Sequence, residues 1–257
     1  MTLSFVFSGF AVGLLVGMTG VGGGSLMTPM LTLLFGVSPS VAVGTDLAFA
    51  AITKSAGTFT HRLRGTINWH IVKLLCFGAL PSAVLATLWL KEFGAFNKEI
   101  GLIIRYSIAS SVLLTVAALL FKSKIMTWIN AHPEYQLQGK NLAYATIISG
   151  AVLGALVTIS SIGAGAIGAT LLVILYPRLS PAEIACTDIA YAVPLTTIAA
   201  FGHWYLGSID WTLLATLLVG SVPGITLGSW IARAVPERFL RGLLATTLTT
   251  VAAKLIF

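Results

Sequence analysis

Charge is scarce in this chain. Only 9% of its 257 residues are Asp, Glu, Lys or Arg, against the roughly 25% typical of soluble domains. That excludes an ordinary water-soluble globule. Cysteine is nearly absent too, and Cys76 and Cys186 both fall inside apolar segments. They read as small buried hydrophobes and exclude a disulfide framework or a thiolate metal site. Four histidines are scattered through sequence poor in acidic residues, so neither a catalytic triad nor a metal-ligand cluster is formed at useful spacing. No glycine-rich run is followed by Gly-Lys-Ser/Thr, which argues against nucleotide hydrolysis. No cofactor is called for, and the expectation is a protein that is not an enzyme. The first sixteen residues lack a basic region and a small-residue cleavage pattern, and are expected to be mature chain rather than a signal peptide.

Apolar sequence fills the space. Hydrophobic residues make up 57% of the chain, in runs over 3–16, 41–53, 71–90, 100–121, 142–158, 166–176, 184–201, 211–232 and 239–256. At 1.5 Å rise per residue, runs of about 20 residues cross a bilayer as helices. The alternating pattern of a membrane barrel is missing, and backbone in lipid has to satisfy itself. The expected fold is therefore an all-α polytopic membrane protein. Its formal charge of +7 gathers near loop ends, where it orients helices in the lipid bilayer and does not imply nucleic acid.

The chain also repeats itself. "PSVAVGTDLAFA" from Pro39 is echoed by "PAEIACTDIAYA" from Pro181, and the offset of 142 holds for Thr45/Thr187, Asp46/Asp188, His61/His203, Trp69/Trp211, Gly78/Gly220 and Pro81/Pro223. With a one-residue shift, "GLLVGMTGVGGG" from Gly13 overlies "GALVTISSIGAG" from Gly154. Two homologous halves are expected, 1–121 and 142–257, joined by a hydrophilic linker over 122–141. Arg62, Arg64 and Lys73 make the loop after the first 41–60 helix basic, whereas the equivalent 201–210 loop has no Lys or Arg. Equivalent loops of opposite character point to opposite sides of the membrane, hence to inverted repeats. A parallel repeat is the competing arrangement. Each half is expected to be a broken Gly-rich helical hairpin followed by three transmembrane helices: 41–60, 70–90 and 100–121, then 182–201, 211–232 and 239–257.

The glycine run admits two readings. Gly13, Gly17, Gly20 and Gly24, about one per turn, would let helices pack closely. Alternatively, the run breaks the helix at mid-depth, exposing free N–H groups and the positive end of a half-helix, where an anion binds. Recurrence in both halves favours the second reading, because paired interrupted segments mark transporter binding sites. Thr19 and Ser25 accompany the first run, and Thr158, Ser160 and Ser161 the second.

These residues, "VGMTGVGGGSLMTPML", "GTDLAFAAITKSAGTFTHRLRGTINW" and "CTDIAYAVPLTTIAAFGHWYLGSIDW", resemble the TauE/SafE sulfite exporter family over almost the whole chain. The resemblance implies a multi-pass protein of the bacterial cytoplasmic membrane carrying a small sulfur-containing anion such as sulfite, thiosulfate or an organosulfonate. It also implies coupling to protons. An anion channel of the same architecture is the alternative, and a homodimer is compatible with either.

Ionisable residues inside the spans refine the site, since each is costly there. Asp46 and Lys54 lie two turns apart on one helix; Asp188 repeats Asp46, while Thr196 replaces Lys54. They form either a structural ion-pair network or a cationic anchor with a proton-carrying carboxyl, for which desolvation suits proton exchange near neutrality. His61 and His203, near the membrane interfaces, are expected to cap helices or to relay protons. The residues nominated for substrate are Thr19, Gly20, Gly22, Gly23, Thr45, Lys54, Ser160, Ser161, Gly163 and Thr187. Those nominated for the proton are Asp46, Asp188, His61 and His203, and no metal ligand is nominated. Trp69 and Trp211 read as interfacial anchors, Pro81, Pro194 and Pro223 as helix kinks, and Arg178 and Glu183 as surface residues.

Overall fold

The computed structural model describes residues 2–19, 24–62, 67–132, 134, 136–231 and 237–256. These form helices α1 (Thr2–Thr19), α2 (Gly24–Leu34), α3 (Pro39–Arg62), α4 (Trp69–Phe93) and α5 (Lys98–Ala131), then α6 (Gly139–Ser160), α7 (Ala166–Leu175), α8 (Pro181–Tyr205), α9 (Trp211–Ile231) and α10 (Glu237–Ile256). There is no strand among the described residues. Among them, α4, α5, α6, α8 and α9 are long and apolar enough to cross a membrane. The fold is a helical membrane bundle.

Local chemistry sets several helix ends. Pro181 enters α8 behind a Ser180–Glu183 capping box, in which the Glu183 backbone N–H donates to Ser180 Oγ at 3.3 Å and the Ser180 N–H to Glu183 Oε2 at 2.8 Å. Glu183 thus caps a helix at the surface. Asn68 caps α4 by accepting from the Ile71 N–H at 3.3 Å. One boundary departs from expectation. α5 runs on to Ala131, so the first half of the polar 122–141 segment is helix. Lys122, Lys124 and Trp128 permit this, because an exposed helix tolerates charge once it leaves lipid and needs only good helix formers.

Contacts recur at the repeat offset. α1 lies along α9, and α6 lies along α4. A Cβ on Gly220 would overlap the Val6 carbonyl, and one on Gly78 the Ile147 carbonyl, so each pair of backbones touches directly. Both pairs run parallel: Val6, Phe10 and Leu14 meet Gly220, Gly224 and Gly228 in that order, and Leu75 and Ala79 meet Gly150 and Gly154. The packing reading of glycine therefore holds on these faces. We expect Gly78→Val and Gly220→Val each to destabilise the protein by more than about 3 kcal/mol through overpacking. Gly101→Ala, with nothing within 4 Å of the new methyl, should be neutral or stabilising by up to about 1 kcal/mol. Thermal melting in detergent checks the contrast; equal melting of all three variants would contradict the contact.

α3 and α8 cross at the centre and run antiparallel. Thr45, near the start of α3, accepts from the Asp210 N–H beyond the end of α8 at 3.1 Å. Thr187, near the start of α8, accepts from the Asn68 N–H beyond the end of α3 at the same distance. The Gly-rich segments make hairpins. Tyr176, just past α7, hydrogen-bonds Thr146 early in α6 at 2.8 Å. Phe35, just past α2, packs on Phe5 early in α1, with ring centroids 4.6 Å apart. The break is not central in its segment as expected: α6 has 22 residues and α7 only 10. The short return helix leaves its N-terminus deep in the bundle.

Candidate functional site

The turn between α6 and α7 is built from strained backbone. Ser161 ends α6 in the left-handed region at φ 60°, and Gly163 and Gly165 follow at φ 133° and 153°. Ser160 holds the turn. Its Oγ donates to the Leu156 carbonyl at 2.7 Å, accepts from the Ile162 N–H at 3.2 Å and lies 3.1 Å from Ser111 Oγ. Ser161 differs: its hydroxyl is buried without a hydrogen-bond partner among the described residues.

Lys54 reaches this turn from the other half of the chain. It is 9% exposed, and its Nζ donates to the Ala164 carbonyl at 2.6 Å. Its charge stands within electrostatic reach of both carboxylates, more strongly of Asp188 than of Asp46. Asp46 is fully buried, and its Oδ2 accepts from Thr28 Oγ1 at 2.5 Å. Its Oδ1 has no partner among the described residues, although the Ser161 hydroxyl lies close by, short of hydrogen-bond geometry. Asp188 lies over the first turn of α7, where its Oδ1 fills the place a Cβ on Gly168 would take. That oxygen is also unpartnered. Tyr191, one turn further along α8, is fully buried with an unpartnered hydroxyl and interacts electrostatically with Asp188.

The structure thus brings together Asp46, Lys54, Ser161, Gly163 and Asp188. It sets other nominated residues to different tasks. Thr45 and Thr187 spend their acceptor oxygens joining the ends of α8 and α3, as described above, because backbone N–H groups leaving a helix need partners. His203 lies in the last turn of α8. It is fully buried, and its Nε2 donates to the Thr158 carbonyl at 2.9 Å, tying α8 to α6. Gly20, Gly22 and Gly23 lie outside the described residues, as do the side chains of Thr19 and His61. Trp69 and Trp211 are exposed at helix starts, as interfacial anchors would be.

Three participants went unnominated. Thr28 had a signal, since Thr170 stands 142 residues on in the same context. Tyr191 had none, because its repeat equivalent is Phe49. The Ala164 carbonyl is backbone, which no residue type announces. The halves are consequently unequal at the site. Thr196, in the place of Lys54, bonds carbonyls of its own helix, Ala192 at 2.8 Å and Val193 at 3.3 Å.

A buried set of one ammonium, two carboxylates and hydroxyls, carried by α3, α8 and the α6–α7 turn, is the kind of polar cluster that membrane transport proteins place inside the bilayer. The profile of the family "Sulfite exporter TauE/SafE" matches residues 5–255. The chain belongs to the TauE/SafE family. It is 36% identical over 256 residues to the "Probable membrane transporter protein YjnA" of Bacillus subtilis, covering all of both chains. It is 26% identical over 254 residues to the "Probable membrane transporter protein YdhB" of the same organism, covering 96% of this chain and 97% of that one. A "Probable membrane transporter protein MJ0441" of Methanocaldococcus jannaschii is 24% identical over 259 residues, covering 95% and 91%. No solved structure matches the chain. Family and fold together make it a membrane transport protein.

Proposed function

We propose that this chain is a secondary transporter carrying a small sulfur-containing anion, such as sulfite, thiosulfate or an organosulfonate, across the bacterial cytoplasmic membrane. Transport is coupled to protons and proceeds by alternating access between inverted halves, 1–121 and 142–257. The observation that carries the proposal is Lys54, a buried ammonium that donates to the Ala164 carbonyl within electrostatic reach of Asp46 and Asp188. One cation supplies a binding charge for an anion, and two carboxylates at repeat-equivalent positions supply places for a proton. The site argues for an anion; the sulfur comes from the family.

Support for inversion comes from α3 and α8. They hold equivalent places in the repeat yet run antiparallel, and an axis relating antiparallel membrane helices lies in the membrane plane. The basic residues of 62–73, 122–140 and 233–241 then share the cytoplasmic side. We expect cysteines placed at Ser123 and Glu237 to be labelled from the cytoplasm and one at the exposed Tyr205 from outside. Labelling of Tyr205 and Ser123 from one face would refute the inverted arrangement.

The function is tested by flux of radiolabelled sulfite, thiosulfate and methanesulfonate into proteoliposomes. Saturable uptake driven uphill by a pH gradient is the expected result. Flux that never saturates and never exceeds equilibrium would make the protein a channel.

A further inference from the structure

The N-terminus of α7 is where the sequence reading put an anion, and in this structure an anionic group already sits there. Gly168 lies in the first turn of α7, with its N–H committed to the Gly163 carbonyl at 2.9 Å. The space its missing side chain leaves is filled by Asp188 Oδ1, which makes no hydrogen bond there. A buried carboxylate oxygen without a donor is held by field rather than by bonding. The field has two sources on the page: the positive end of the α7 dipole and the Lys54 ammonium anchored at Ala164, two residues before the helix starts. Ser161 and Tyr191 bring unpartnered buried hydroxyls to the same region. No such opening is seen among the described residues of the first half. Leu26 stands where Gly168 would be and is buried, and Asp46 is instead bonded by Thr28.

We propose that the first turn of α7, with Lys54, Ser161 and Tyr191, is the docking point for the substrate oxyanion, and that the Asp188 carboxylate holds the substrate's place until protonation releases it. This rests on the anion-transport reading above and adds how proton and anion are tied. The loading side supplies a proton, which binds the Asp188 carboxylate and makes it a neutral carboxylic acid. The acid no longer competes for Lys54 and the helix end, and an oxyanion takes the vacated place. On the other side the anion leaves, and the proton departs as Asp188 returns. For a monoanion the site's net charge is the same before and after, so the desolvation cost of an extra buried charge is avoided. The charged and titratable groups facing Asp188 are Lys54 and Asp46 on α3, Tyr191 on its own helix, Lys122 on α5 and, beyond Tyr191, Cys76 on α4. Asp46 keeps its Thr28 bond in this scheme, which leaves Asp188 as the exchanging carboxyl.

The test measures binding by calorimetry to the purified full-length chain in lipid nanodiscs. The probes are methanesulfonate and thiosulfate, whose own charge stays constant between about pH 5 and about pH 8, so that any pH dependence belongs to the protein. For the unmodified chain, affinity should fall by up to about tenfold per pH unit above the titration of Asp188. In Asp188→Asn the affinity should be independent of pH and at least equal to the low-pH value of the unmodified chain. Gly168→Ala, which places a methyl at the docking point, should weaken binding at low pH by about tenfold or more while melting at a similar temperature. Undiminished pH dependence in Asp188→Asn, or full affinity in Gly168→Ala, overturns the displacement by Asp188 and leaves the transport reading standing. Absence of binding by the unmodified chain at every pH overturns both.

Discussion

Lys54→Gln should lose anion binding by roughly 10- to 100-fold, the equivalent of the 1.5–3 kcal/mol that a hydrogen bond to a charged group is typically worth. The expectation follows from where the ammonium sits. At 9% exposure its charge is poorly screened, and an ion at low local dielectric attracts an oxyanion far more strongly than one in water. Glutamine is one bond shorter but keeps an N–H donor directed toward the Ala164 carbonyl, so the tether to the α6–α7 turn is lengthened rather than removed. What disappears is the charge. A second consequence is separable from the first. Asp46 and Asp188 lose their shared cation, and breaking a buried ion set by removing one partner typically costs about 3–5 kcal/mol. Lys54→Gln combined with Asp188→Asn should therefore regain much of the lost stability but not the affinity. Calorimetry and thermal melting on the single and double variants separate these effects. Unchanged affinity in a well-folded Lys54→Gln protein would move the anion onto hydroxyls and backbone N–H groups alone.

Gly163→Val should abolish transport while leaving an assembled protein in the membrane. At φ 133° Gly163 occupies backbone space that side-chain-bearing residues rarely adopt, at a cost on the order of 1–3 kcal/mol. Its new Cβ would also lie 3.1 Å from Val157 Cγ2, against the last turns of α6. The turn would have to relax, carrying the Ala164 carbonyl and the α7 N-terminus away from Lys54 and Asp188. A bundle held by long helices survives that shift, whereas a site aligned to a fraction of an ångström does not. Gly36→Ala is the control. It also has a left-handed φ, 62°, with nothing within 4 Å of the added methyl, and it lies away from the buried cluster. Proteoliposome flux should fall to background in the first variant and persist in the second. Loss in both would reduce the glycine effect to general backbone strain.

Much of the site could be read from the chain because rarity and repetition are both visible in one dimension. Asp46 and Asp188 stand out as charges in apolar runs, and their common offset ties them to one structural role. Lys54 stands out by lacking a counterpart in the second half. Gly163 was marked by the glycine run. Thr45, Thr187 and Ser160 were nominated for the same reasons, and the structure shows them bonded to backbone groups. A hydroxyl's task depends on which backbone group lies opposite, and for Thr45 that group is the Asp210 N–H, 165 residues away. His203 was misplaced for a related cause. Sequence puts it at a helix end, where water is expected, but its side chain is on the face of α8 that packs against α6, while its neighbours Trp204 and Tyr205 remain exposed.

Composition and pattern alone determined that the chain is a helical membrane protein, that its segments recur at a nearly fixed offset, and that glycines cluster at equivalent places in both halves. These are properties of local sequence: apolar length sets membrane crossing, and glycine removes the Cβ that would forbid a turn or a close helix contact. Only the tertiary structure decided that Lys54 of α3 is bound to the turn before α7, that Asp188 fills the space beside Gly168, and that Phe49 and Tyr191 make equivalent positions unequal. The physical reason is that these contacts join groups far apart in the chain. Their energies depend on distance and dielectric in the folded bundle, and neither quantity exists until the helices have packed.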